Sequence, residues 1–406
     1  MLRNHLEGGA RRPTRPFSPR LSPLEDRQLL SAAPAPGGPT PAEQYMLELV
    51  NRARSNPQAE ARRLLAAEQS DPALSNVLAY LGPNGFEGVL GAYKPLPPLA
   101  FNDRLISAAR AHDSAMLAAN DQVHSAQGFL TDATVAHAAD GRAYYPTGAA
   151  SWATGENIYA NTGSPNPSTT AEVDYLEAAF LIDWGNPSFG HLKNILAPGP
   201  GAGVSGGHPP FTEIGIGIMT DATPTTPSPT GVDVGPVLVT QEFGWRQGNA
   251  FLTGVAYTDA SSVHFYKPGE GLGGATITAV GRNQQGTFRV QTWASGGYSL
   301  QLPPGTYTVT ATGNVPAPRS AVVTIGQDNV GWDIACGKSA PQPPAVAVPR
   351  PSHAVAIPHP VLKLTHPAPT PARPVAPHQP IRITPHLAFS GAARPSITFS
   401  RSRPTR

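Results

Sequence analysis

Phe211-Thr212-Glu213-Ile214-Gly215-Ile216-Gly217-Ile218-Met219 alternates isoleucine with glycine through its centre. A period of two places successive side chains on opposite faces, which marks a β-strand and not a helix. A second strand signal runs from Val237 to Phe243, and the Gly-rich 199–207 and the Thr/Pro run 222–230 read as loops. Upstream the period changes. Thr40-Pro41-Ala42-Glu43 has the form of a capping box with proline at the first helical position. Met46, Leu49, Val50 and Ala53 then recur at i, i+3, i+4 and i+7, one face of a helix. A second helix is expected after Asn102-Asp103, with Leu105, Ala108, Ala109, His112, Met116 and Ala119 on one stripe, and a third over 171–182. The stretch 125–170 reads as loop. The first half is therefore mixed helix and sheet.

From Asn249 short runs rich in Val, Thr, Tyr and Phe alternate at period two: Phe251–Tyr257, Ala275–Val280, Thr287–Trp293, Tyr298–Leu302, Tyr307–Ala311 and Ala321–Ile325. Each is bounded by Gly, Pro or Asn, which predicts an all-β sandwich with Val255, Ile277, Phe288, Leu300, Tyr307 and Val309 inward. After Cys336 the chain has sixteen prolines and no acidic residue in seventy positions, the composition of a disordered segment with polyproline II character. The expected divisions are a disordered basic leader 1–39, a mixed domain 40–246, a β-sandwich 248–334 and a disordered basic tail 337–406.

Charge follows the same divisions. The net +2 combines +3 over residues 1–40, +9 over 337–406 and −10 between them. An acidic centre argues against nucleic acid as a partner, because a nucleic-acid-binding domain carries its basic footprint on the fold itself. The lone Cys336 excludes an intrachain disulfide and a multi-thiolate zinc site. No apolar run reaches the roughly 18 residues of a transmembrane helix, and residues 1–40 hold no secretory hydrophobic segment.

Of the twelve histidines, five lie in the Pro-rich tail and His5 lies in the leader. Of the others, His124 follows the second helix, His191 opens Gly190-His191-Leu192-Lys193-Asn194-Ile195-Leu196, and Glu156 stands between them in Gly155-Glu156-Asn157-Ile158. His112 sits on an apolar stripe and reads as a packed core residue. His137 and His208 have no evident partners. No nucleophile elbow, Walker loop or dinucleotide fingerprint is present.

The segments Leu49-Val50-Asn51-Arg52-Ala53-Arg54, His124-Ser125, Gly155-Glu156-Asn157-Ile158, Gly190-His191, Asn194-Ile195-Leu196, Glu213-Ile214-Gly215-Ile216-Gly217 and Thr240-Gln241-Glu242-Phe243-Gly244 occur in one order. Together, across about 42–245, they resemble the CAP superfamily (SCP domain) of cysteine-rich secretory and pathogenesis-related proteins. The resemblance implies an α-β-α sandwich with a cleft lined by two histidines and two acidic residues, which in some members holds a divalent cation such as zinc. Carried over by position, His124 and His191 are the cleft histidines and metal ligands, and Glu156 is the first acidic residue and the candidate catalytic base. The second glutamate has no direct counterpart, and Asp183, eight residues before His191, is the substitute. Leu192 stands where many bacterial relatives have arginine. The resemblance leaves two functions open: a module whose cleft takes a small-molecule, lipid or peptide ligand, or a metal-dependent hydrolase.

Gly254-Val255-Ala256-Tyr257-Thr258-Asp259, Pro268-Gly269-Glu270-Gly271-Leu272, Gly297-Tyr298-Ser299-Leu300 and Leu302-Pro303-Pro304-Gly305-Thr306-Tyr307 resemble B-type repeats of bacterial surface adhesins and carboxypeptidase-regulatory-like sandwiches. Asp259 and Glu270 fall at positions 1 and 12 of the EF-hand-like loop of calcium-binding members. Val263 at position 5, His264 at position 6 and Lys267 at position 9 argue against calcium there, since position 5 needs an oxygen and position 6 usually a glycine. Leu24-Glu25-Asp26-Arg27-Gln28-Leu29-Leu30-Ser31 resembles an N-terminal motif of planctomycete exported proteins. The combined expectation is an extracellular or cell-surface protein, with the sandwich as spacer or adhesion module and the tail as attachment segment.

Overall fold

Thr40 caps the first helix as its sequence predicts. Its backbone N–H donates to Glu43, and the Glu43 N–H donates to Thr40 Oγ1 at 3.2 Å, so both halves of the capping box form. In the computed structural model the described residues are 38–68, 85–124, 152–161, 170–183, 189–196, 210–220, 222–248, 250–260, 263–282 and 286–337. The expected leader and tail, apart from Gly38, Pro39 and Gly337, lie outside them, as do His137 and His208.

The helices are α1 (Pro41–Ser55), α2 (Pro57–Glu68), α3 (Gly85–Gly91), α4 (Asp103–Ala119), α5 (Thr170–Ile182) and α6 (Gly190–Leu196). The strands of the first half are β1 (Ala100–Phe101), β2 (Trp152–Asn161), β3 (Glu213–Met219) and β4 (Val237–Arg246). They form one sheet in the order β1-β3-β4-β2, with β1 parallel to β3 and the other pairs antiparallel.

The Ile/Gly alternation of β3 explains how helices meet this sheet. A Cβ at Gly215 would collide with the backbone of Leu105 and Ile106, and one at Gly217 would lie 2.8 Å from Ala109 C. The glycine face therefore lets α4 lie against the strand at backbone distance. The opposite face puts Ile214 and Ile216 into a core with Tyr45, Met46, Leu49 and Val50 of α1.

The second half contributes β5 (Phe251–Thr258), β6 (Ala275–Gly281), β7 (Thr287–Gln291), β8 (Gly297–Gln301), β9 (Gly305–Gly313), β10 (Arg319–Ile325), β11 (Val330–Gly331) and β12 (Ile334–Cys336). One sheet runs β10-β9-β6-β7, and the other joins β11, β5 and β12 with β8 beside β5. Ile277, Leu300, Tyr307 and Val309 fill the space between them, and Phe288 packs alongside. Val255 does not share that core. It is buried with α1 and β3 residues instead, because β5 shows its other face to the first half.

Residues 125–170, expected to be loop, contain β2. Strand pairing with β4 is continuous from Trp152 to Asn161. Glu156 and Asn157 are both buried, so polar residues occupy both faces and the hydrophobic alternation that signals a strand is missing.

The two halves share packing. Tyr257, Tyr266 and Ala335 belong to the core that holds Tyr45 and Leu99, and the Phe101 and Trp293 rings meet edge-on at 6.3 Å. Asn329 fastens the join: its amide donates to Pro98 O and Thr212 O at 3.0 and 2.7 Å and its oxygen accepts from the Phe251 N–H. The described residues from Gly38 to Gly337 accordingly fall in one compact unit. Among the described residues no helix is long and apolar enough to cross a membrane.

Candidate functional site

Helix α4 begins under Asn102, whose side chain accepts from the N–H groups of Arg104 and Leu105 and donates to Glu213 Oε1 at 2.7 Å. It ends at Asn120 in the left-handed conformation, φ 49°. Asn120 is fixed there by its amide donating to Thr226 O and Asp233 Oδ1 and by its oxygen accepting from the Val234 N–H. This locked exit carries residues 121–124 to the edge strand β2. Val123 O lies 3.1 Å from His112 Nε2, and His124 Nδ1 lies 2.5 Å from Glu156 Oε1.

Glu156 is buried, while the His124 side chain is 45% exposed, so the pair has its carboxylate inside and its imidazole at the surface. The other carboxylate oxygen, Oε2, lies 3.7 Å from Nε2 of the buried His112. One carboxylate thus faces two imidazoles. The apolar stripe hid this role of His112: the stripe turns toward β2 at that position, and only the sheet register brings Glu156 opposite.

Asp183 and His191 form the second pair. Asp183 leaves α5 with φ 51°, a conformation in which its carboxylate turns back onto α6. Asp183 Oδ2 accepts from the His191 and Leu192 N–H groups, and Asp183 Oδ1 lies 2.8 Å from His191 Nδ1. The His191 ring packs edge-on against Phe180 at 5.4 Å. In both pairs Nδ1 is turned to a carboxylate, which orients the ring with Nε2 away from it.

An amide network lies between the pairs. Asn194 donates to Glu156 O at 3.1 Å and to Asn157 Oδ1 at 2.8 Å. Asn157 donates to His191 O and to Gln241 Oε1, and Gln241 donates to Glu177 Oε2. Burial pushes the Glu177 carboxyl well above the usual carboxylate range, partly opposed by the Gln241 bond. The structure therefore groups the four candidates as His124 with Glu156 and His191 with Asp183, joined through backbone and amides. Because Glu156 and Asn157 leave β2 on opposite faces, the first pair meets the end of α4 and the second is tied to α6. Among the described residues no group of three or more His, Cys, Asp or Glu side chains is arranged to hold a metal ion.

The 259–270 loop is engaged internally. Asp259 accepts from the N–H groups of Val263 and His264, and His264 Nδ1 lies 2.9 Å from Asp259 Oδ2. His264 takes φ 56°, the left-handed turn for which glycine is usual at position 6 of such a loop. Glu270 accepts from the Lys267 N–H, and Lys267 Nζ donates to Tyr45 OH at 2.7 Å while lying over the Tyr45 ring. Arg52 of α1 covers Phe265 at 4.6 Å. The loop thus turns Phe265, Tyr266 and Lys267 onto α1.

No curated protein matches the chain. Residues 265–335 match the carboxypeptidase regulatory-like domain, a segment that begins within the 259–270 loop and ends at Ala335 on β12.

Proposed function

We propose that this is an extracellular or surface-attached CAP-domain protein whose cleft lies at the outer edge of β2, where Asn194 donates to Glu156 O. His124, Glu156, Asp183 and His191 serve there as the ligand-facing residues. The observation that carries this reading is the pair of buried carboxylates, each holding the Nδ1 of a part-exposed imidazole. Such pairs fix the ring and direct Nε2 at a ligand, either as a hydrogen-bonding group or toward a cation. A small-molecule, lipid or peptide ligand is the expected occupant. The sandwich serves as spacer or adhesion module, and the basic tail as the attachment segment.

A divalent cation such as zinc would be held by the His124 and His191 imidazoles, as an exchangeable guest. It does not fit as a closed structural centre, which takes four protein ligands. The hydrolase reading asks Glu156 to act as a general base, whereas both its oxygens face imidazoles and its part is to orient them. Calorimetric titration of the full chain with zinc, beside His124→Ala and His191→Ala, tests the proposal. One weak site lost in both variants is expected. Tight stoichiometric zinc with a chelator-sensitive peptidase activity would favour the hydrolase.

A further inference from the structure

The join between α1 and the sandwich holds two acids that no functional reading uses, Glu48 buried and Asp333 half-buried. Glu48 lies on the inner face of α1, with Gln44 Nε2 donating to its Oε1 at 2.7 Å. Asp333 lies between β11 and β12, and its Oδ1 accepts from the Val255 N–H at 3.1 Å. The Gln44 side chain lies directly on the backbone of β8: a Cβ at Gly297 would overlap its amide. Among the described residues neither carboxyl is paired with a Lys, Arg or His.

We propose that Glu48 and Asp333 form a protonation-dependent clasp, which holds α1 against the β-sandwich in acid and loosens as the pH rises toward neutral. This goes beyond the cleft reading and does not depend on it.

The surroundings set the sign. Facing the two acids are Gln44 from α1, Tyr257 from β5, Tyr266 from the 263–274 loop and Tyr298 from β8, with Asp259 and Glu270 adding negative charge nearby. The neighbouring cations are turned elsewhere, Lys267 to Tyr45 and Arg52 to Glu60 and Phe265. Burial raises the Glu48 carboxyl well above the usual range, and Asp333 raises it further. Partial burial pushes Asp333 up to about 6, against the Val255 bond. An acid raised in the closed form keeps its proton there and releases it when the join opens. The closed form is therefore fully favoured below the ordinary carboxylate pKa of about 4 and loses ground as pH rises through the raised values. The outer sheet β10-β9-β6-β7 contains neither acid and serves as the internal control.

Hydrogen exchange in the full chain, corrected for the intrinsic pH dependence, tests this between pH 4.5 and 8. Protection of 44–50 and 297–300 should fall with rising pH, by at most about tenfold per unit for each proton released. Protection of β6 and β9 should stay level. Glu48→Gln with Asp333→Asn, which keeps both hydrogen-bonding oxygens, should flatten the slope at the join. A wild-type join with pH-independent protection overturns the proposal, as does a double variant that keeps the wild-type slope. If the double variant does not fold, Glu48→Gln alone and the wild-type profile decide the matter.

Discussion

Arg54 is nearly inaccessible, yet its guanidinium meets three main-chain carbonyls: Pro97 O at 2.9 Å, Ile195 O at 2.6 Å and Phe211 O at 3.1 Å. It ties the end of α1 to the approach to β1, to α6 and to the approach to β3. Arg54→Met keeps the stem and strands three buried acceptors, which should cost on the order of 3 kcal/mol or more. The midpoint of urea unfolding measures it. At Thr40, loss of the cap in Thr40→Ala should cost about 1 kcal/mol by the same measurement. These residues differ in legibility. The Thr40 cap depends on neighbours within three positions, so its sequence suffices. Arg54 and His112 depend on partners tens of residues away, and neither helical periodicity nor residue type shows which carbonyl or carboxylate will face them.

At the scale of elements, β3 and α4 meet through Gly215, where any side chain would displace helix backbone. Gly215→Ala should destabilise by about 3 kcal/mol or more, the upper range of overpacking, because backbone yields less readily than a side chain. Gly91→Ala, whose Cβ meets nothing within 4 Å, should stay within about 0.5 kcal/mol of wild type. Thermal or urea unfolding of the two variants side by side makes the comparison. The periodic elements α1, α4, β3 and β6 to β10 were legible because one face of each carries an apolar row, and α5 and β5 because their runs are apolar on more than one face. Strand β2 was not, since its Glu156 and Asn157 point into polar networks on opposite faces. The short β11 and β12 pair parallel to β5 with only two and three residues, too few for a period to register.

At the scale of the molecule, the two halves share a core, so residues 41–245 expressed alone should unfold at lower denaturant than within the whole chain. The loop 259–270 bears on the whole as well, since its Phe265, Tyr266 and Lys267 secure α1. With the Asp259 and Glu270 carboxylates already accepting backbone N–H groups, and His264 beside Asp259, millimolar calcium should leave the melting temperature unchanged. A calcium-dependent rise would mean that His264 gives way to the ion. The sandwich was readable from its alternating strands, but the contact surface was not. It arises from β5 and from a loop whose aromatic residues gave no sign of their partner.

Under the proposed function, the His124–Glu156 and His191–Asp183 pairs flank one cleft and serve one ligand. Nitrogen-15 correlation spectra of the histidine rings in the full chain, with His124→Ala and His191→Ala used for assignment, measure it directly during a zinc titration. Nε2 of both rings should shift along a single saturation curve, and removing either histidine should abolish the response of the other. Two rings that respond independently, or only one that responds at all, would contradict it.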